Sequence, residues 1–269
     1  MTETATPLAA PATAAPATAA PATGPAPEGP ITLALDIGGT GLKAALLDAK
    51  GAVIGKRARV ETPHPSPPDV VVAALVGLAH CLGSFDRVSV GFPGVVRDGK
   101  VLTAPNLGNE TWAGFELSDA LANRLGRKVR LLNDATVQGL GVIAGKGLEC
   151  VITLGTGFGF ALYKDGRLAP HLELSQHVIR GRKTYDEYLG VAALDRIGKR
   201  RWRRRVARML EQLRVLVNFD ALYIGGGDAR LIDFDLAADT HIVPNSAGLT
   251  GGVRLWDPQL DDDFGRHAG

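Results

Sequence analysis

Two short segments of this chain carry residue types suited to holding phosphate. Residues 33–51 read LALDIGGTGLKAALLDAKG and residues 151–166 read VITLGTGFGFALYKDG. Each runs through an apolar strand, a Gly-Thr-Gly turn, a second strand and a closing Lys and Gly. Glycine lets backbone N–H groups approach oxygens closely, and Thr40 and Thr156 add hydroxyl donors. For either copy alone the plain alternative is a tight hairpin whose glycines serve only a positive φ. The repetition instead suggests two lobes of similar build, each aiming a loop at a shared cleft. The pattern argues against a dinucleotide fold, because there the glycine loop opens a long helix, whereas residues 42–48 and 158–164 stay strand-like.

A second chemical signal stands at Asn133 and Asp134, between the apolar strand 129–132 and the helix-like run ATVQGLGVIAG. In α/β folds ligands gather at the carboxyl ends of strands. Either residue could simply cap the following helix. A carboxylate facing two phosphate loops, however, can orient a hydroxyl and take its proton during phosphoryl transfer.

The elements that must position these residues alternate between strand and helix. Residues 52–60 read as a strand, the Pro-rich stretch 63–68 ends it, and DVVVAALVGLAHCL (69–82) is apolar at helical spacing behind Pro67 and Pro68. The strand 87–90 then runs into GFPGVV. The alternation indicates an α/β architecture. A length of 269 residues suits two compact lobes. We expect a disordered Ala/Pro/Thr tail over residues 1–29 and an N-terminal lobe over 30–135. A C-terminal lobe over 136–257 and a frayed acidic end over 258–269 complete the division. The tail contains no helix-turn-helix.

The net charge of +2 implies no nucleic-acid partner. With no uninterrupted apolar run of about 18 residues, no membrane span is expected. The two cysteines, Cys81 and Cys150, are isolated. They fit a reducing compartment, here the cytoplasm, and form no zinc quartet.

The set DIGGT, GFPG, NDA, TLGTGFG and IGGGDAR, in this order over residues 31–257, resembles the ROK family of sugar kinases. It is most similar to the branch that contains polyphosphate-dependent glucokinases. The resemblance implies a two-lobed actin-like ATPase fold, of the ribonuclease H-like kind, with a central cleft. It also implies roles for particular residues. Asp36, Gly38, Gly39, Thr40, Gly41 and Lys43 match the first phosphate motif, and Thr153, Gly155, Thr156 and Gly157 the second. Gly225, Gly226 and Gly227 match the loop against the nucleoside, and Asp134 the catalytic base. Sugar hydroxyls would be held by Asn133 and Asp134, by Asn106 or Asn109, and by Glu173, with Gln176 or His177 near the place of the family's histidine. Two features depart from the family: the Glu-x-Gly-His motif is incomplete, and no Cys-rich loop follows. No zinc is therefore expected, and the family's second sugar-binding glutamate has no clear counterpart.

The resemblance implies transfer of a phosphoryl group from ATP or polyphosphate, with Mg2+, to the 6-hydroxyl of glucose or a close hexose. A homodimer is the expected assembly. The alternatives are a sugar-sensing regulator of the same family, and a kinase for mannose, fructose or an amino sugar. One further segment, KRRWRRRVARMLEQLRVLVNF (199–219), places Trp202, Val206, Met209, Leu210 and Leu213 on one helical face. It reads as a docked amphipathic helix, or as a polyanion site built from Arg200, Arg201, Arg203, Arg204 and Arg205.

Overall fold

The computed structural model of the protein describes residues 28–244 and 247–264, so the tail expected over residues 1–29 lies outside the described residues up to residue 27. The chain begins with β1 (Thr32–Ile37), β2 (Leu42–Leu47), β3 (Val53–Val60), α1 (Pro68–His80) and β4 (Arg87–Phe92). A small hairpin, β5 (Val96–Arg97) and β6 (Lys100–Val101), precedes α2 (Asn109–Trp112), α3 (Leu117–Leu125) and β7 (Lys128–Asn133). Then come α4 (Asp134–Leu140), β8 (Leu148–Leu154), β9 (Phe158–Lys164), β10 (Arg167–Leu168), β11 (Val178–Arg180) and β12 (Lys183–Thr184). The chain closes with α5 (Tyr185–Leu189), α6 (Val191–Ile197), α7 (Lys199–Val217), β13 (Ala221–Gly225), β14 (Thr240–Ile242), α8 (Ala247–Thr250) and α9 (Asp261–Phe264).

The internal repeat extends to whole sheets. One has strand order β3-β2-β1-β4-β7 and the other β10-β9-β8-β13-β14. In both, a glycine turn joins two antiparallel strands (β1–β2, β8–β9), and the first strand of the pair lies parallel to later ones. Parallel neighbours require crossover connections, and helices supply them. Val71, Val72, Leu75 and Leu78 of α1, with Leu117 and Leu121 of α3, bury against the first sheet. Behind Pro67, Pro68 starts α1 without sacrificing a helical hydrogen bond.

The second sheet is covered by α7, whose Trp202, Val206, Met209 and Leu213 are fully buried at helical spacing. Leu210, expected on the same face, is only half-buried. The Trp202 indole N–H donates to the Leu189 carbonyl at 2.6 Å. This is the docked amphipathic helix, and it engages two of the five arginines considered for a polyanion. Arg203 donates to the Leu231 carbonyl and pairs with Asp233, while Arg205 donates to Tyr188 O and stacks on that ring at 4.4 Å. Arg200, Arg201 and Arg204 are exposed.

Between the sheets lie α4 and the 3-10 segment Gly251–Trp256, where Val137, Leu140 and Leu255 join Val151, Tyr163 and Leu260 in one cluster. Here the structure departs from the expectation of a frayed end, because the described part up to Phe264 is packed. The Arg130 guanidinium lies between the rings of Trp256 (4.5 Å) and Phe264 (4.6 Å) and pairs with Asp261 at 2.7 Å. The acidic run thus meets a base on the first sheet, and Leu260 has no exposed surface. Among the described residues no helix is long and apolar enough to cross a membrane.

Leu260→Ala should therefore lower the unfolding free energy by about 2–5 kcal/mol, the cost of emptying a buried leucine site. Urea denaturation measures this; a frayed end would give no measurable change.

Candidate active site

Both glycine turns open at the same end of their sheets, and the space between them is a cleft of about 360 Å³. The turns are built alike. Gly38 N–H donates to Gly41 O at 3.0 Å in the first, and Gly155 N–H donates to Gly157 O at 3.2 Å in the second. Beneath the first turn, the Thr62 hydroxyl donates to Gly38 O at 2.5 Å, so the Pro-rich stretch after β3 braces it. Every residue named for the two phosphate motifs lines the cleft, as do Gly226, Gly227, Asn106, Glu173 and Asp134.

Asp134 is the first residue of α4, at the carboxyl end of β7. Its Oδ1 accepts the Ala135 N–H at 2.8 Å. Burial, helped by the charges of Asp36 and Glu173, pushes its pKa up to about 7 against the pull of that backbone donor. Such a group takes up and releases protons near neutrality, as a general base must. Lys43 Nζ lies 2.8 Å from Asp36 Oδ2, a pair that follows from their facing positions on β2 and β1.

Glu173 is gripped by its own segment. Burial would raise its pKa, yet His171 (3.5 Å) and the Ser175 hydroxyl outweigh that and hold it low. Its carboxylate stays charged and able to accept from hydroxyls.

Five residues proposed for the site meet different partners. Asn133 lines the cleft, but its Oδ1 accepts from the N–H groups of Ala135 (3.0 Å) and Thr136 (3.3 Å). Its Nδ2 donates to Gly94 O at 3.1 Å, so Asn133 is both helix cap and loop anchor, with its amide already engaged. Asn109 lies outside the cleft, its Oδ1 accepting from Ala104 N–H at 2.5 Å; of the two asparagines in PNLGN, only Asn106 reaches the cleft, close against Gly39. Gln176 also stays outside and donates to Ser175 Oγ at 3.2 Å and Asp186 Oδ2 at 3.4 Å. His177 faces away, towards Tyr185 and an apolar groove against α7. A one-turn 3-10 helix, Leu174–Gln176, rotates both residues off the line set by Glu173. Gly225 packs under the cleft, where a Cβ would collide with the Gln138 amide.

Reading along the sequence missed Asp186, His171, Ser175 and Arg59, all of which line the cleft. Asp186 is the most telling. Its Oδ1 accepts Phe158 N–H at 2.6 Å, and burial, with Glu173 and Glu187 nearby, pushes its pKa up to about 6. It reaches the second turn only because residue 157 is glycine, since a Cβ there would sit 2.7 Å from its carboxylate. Thr184 and Glu187 form a capping box around it, so TYDE reads in sequence as an ordinary helix start. His171 had a simpler signal in its position two residues before Glu173.

Comparison with known proteins shows the family and the fold. The sequence pattern of the ROK family matches residues 32–170. A polyphosphate glucokinase from Mycobacterium tuberculosis (strain CDC 1551 / Oshkosh) is 32% identical over 236 residues, covering 81% of this chain and 88% of that protein. The crystal structure of an inorganic polyphosphate/ATP-glucomannokinase from Arthrobacter sp. strain KM superposes with a TM-score of 0.76 at 31% identity, over 84% of this chain and 98% of that one. A ROK family glucokinase from Streptomyces griseus, solved with glucose and AMPPNP, shares the fold with a TM-score of 0.71 at 22% identity, over 84% and 98%. The fold is thus the actin-like ATPase fold that the family resemblance implied. With its pattern, its relative and its architecture in agreement, the chain belongs to the ROK family.

Proposed function

We propose that this protein is a hexose kinase that transfers the terminal phosphoryl group of ATP or inorganic polyphosphate to the 6-hydroxyl of glucose or a close hexose. The observation that carries the reading is one buried carboxylate, Asp134, whose burial pushes its pKa up to about 7 and which shares a cleft with two glycine turns. The named substrates of the M. tuberculosis and Arthrobacter proteins support it. A sugar-sensing regulator would need neither a base of this pKa nor the paired Asp36 and Lys43 beside a phosphate turn.

In the proposed reaction, Glu173, Asn106 and Asp186 hold the sugar hydroxyls, whose donors and acceptors must all be paired when buried. The two turns hold the donor phosphates by backbone N–H groups and by Thr40 and Thr156. Asp134 takes the 6-hydroxyl proton as the new oxygen–phosphorus bond forms. The bond between that phosphorus and the rest of the donor breaks, and the donor leaves one phosphate shorter. Approach of the two sheets around the bound sugar would exclude water and suppress hydrolysis. Magnesium takes one or two carboxylates plus phosphate oxygens, and Asp36, beside the first turn, is the carboxylate that would hold it. When bound, it would neutralise charge on the donor phosphates. The free thiols Cys81 and Cys150 suit a cytoplasmic enzyme.

Asp134→Asn should lower kcat by about 10²–10⁴-fold, the usual worth of a positioned base, while the sugar KM changes little. A coupled assay over glucose, mannose, fructose and amino sugars, with ATP and then polyphosphate, tests both substrate and residue; near-normal turnover of the variant would refute the assignment. For the parent, kcat/KM should rise with pH through about 7 as the base ionises. The same shift sets a stability effect. The folded state keeps the Asp134 proton up to about 7, against an ordinary 3.8, so stability falls as pH rises between those values. Asp134→Asn should accordingly melt at a higher temperature than the parent at pH 8, with the gap closing towards pH 4 in scanning calorimetry.

A further inference from the structure

Arg59 is a cation in the cleft to which the scheme above gives no task. It stands on β3 opposite Lys43 of β2, which stands opposite Asp36 of β1. Directly paired residues share a sheet face, so the three side chains form one row across the rim of the cleft. The row is electrically uneven. Lys43 is held by Asp36 at 2.8 Å, and its charge is largely matched there. Among the described residues Arg59 has no ion-pair partner, and its one polar contact is a long one, Nη2 to the Thr40 carbonyl at 3.5 Å.

The guanidinium lies directly over the first glycine turn. A Cβ on residue 41 would come within 2.8 Å of both Nε and Nη2 of Arg59, so the absence of a side chain at Gly41 lets the group lie against the backbone. An arginine without a carboxylate, lying over a glycine turn that lines the cleft, is a recognisable arrangement for an oxyanion chain. Its planar fork matches two phosphate oxygens at once, which an ammonium group cannot do. Asp36, the carboxylate of the first turn, is engaged by Lys43, which leaves Arg59 as the cation beside that turn with no counter-charge among the described residues.

We propose that Arg59 is a donor-binding residue, whose guanidinium clamps the phosphate chain of ATP or polyphosphate against the first turn. The inference rests on the kinase reading for the identity of the donor, but its test does not depend on turnover. The affinities of a non-hydrolysable ATP analogue and of polyphosphate are measured by titration calorimetry for the parent, Arg59→Gln, Arg59→Lys and Arg57→Gln. Donor KM and sugar KM are measured beside them. Arg57 is exposed on the same strand and does not line the cleft, so it controls for a general loss of positive field.

Arg59→Gln should weaken both donors by about 10- to 100-fold, the range expected when hydrogen bonds to a charged group are lost. Its sugar KM should stay within about twofold. Arg59→Lys, which keeps the charge but not the fork, should fall between parent and Gln. Arg57→Gln should bind donors like the parent. Unchanged donor affinity in Arg59→Gln, an equal loss in Arg57→Gln, or a rise in sugar KM matching that of the donor would each overturn the proposal. A parent that binds donor but phosphorylates no hexose would refute the kinase reading and leave the assignment of Arg59 to stand or fall on affinity alone.

Discussion

Asn133 commits both ends of its side-chain amide to backbone, and the site depends on that. Its oxygen accepts from the first N–H groups of α4, and its nitrogen donates to the carbonyl of Gly94 in the loop after β4. One side chain thereby ties together the end of β7, the start of a helix and a neighbouring loop. Asp134 is the next residue, so whatever fixes the helix start also fixes that carboxylate. A cap of this kind satisfies helix donors that would otherwise be orphaned, and removing one typically costs about 1 kcal/mol. Its larger consequence here is positional. The carboxylate is held where burial and the charges of Asp36 and Glu173 raise its pKa to about 7.

The cleft draws its charged groups from separate parts of the chain. Asp134, Glu173 and Asp186 come from three different segments, and each is stabilised in its own way: by a helix-terminal N–H, by His171 and Ser175, and by the Phe158 N–H. Burial raises the pKa of Asp134 and Asp186, with neighbouring carboxylates adding to it, while at Glu173 His171 and Ser175 outweigh burial. The bases Lys43 and Arg59 lie on the strands flanking the first turn.

The duplicated sheets would separate without the segments that bridge them. From the first sheet, the Ser89 hydroxyl donates to Gly252 O at 2.6 Å and accepts from the Trp256 indole at 2.9 Å. Leu249 and Val253 pack on Ala34, Ala45 and Leu47 of the first sheet, while Leu255 and Leu260 join the cluster of α4 with β8 and β9. The segment 249–256 therefore returns to the sheet where the described chain began. Any motion that closes the cleft must pass through this shared layer.

Much of this was legible in the sequence, and the reason is locality. The two hairpins follow from apolar alternation around glycine, α1 from helical spacing behind a proline pair, and α7 from its apolar stripe, because each is decided by neighbours within a few residues. Asp134 was legible too, since a strand end followed at once by a helix start lies at the ligand edge of an α/β sheet. The segment 171–187 was not. Whether Gln176 and His177 or His171 and Asp186 face the cleft turns on a single 3-10 turn and on a capping box that disguises Asp186. The packing of Leu260 and the placing of Arg59 over Gly41 were hidden for the same reason. The sequence by itself determined which elements form and where the two glycine turns fall; only the tertiary structure decided which side chains meet across the cleft, because those contacts join residues far apart in the chain whose spacing encodes no period.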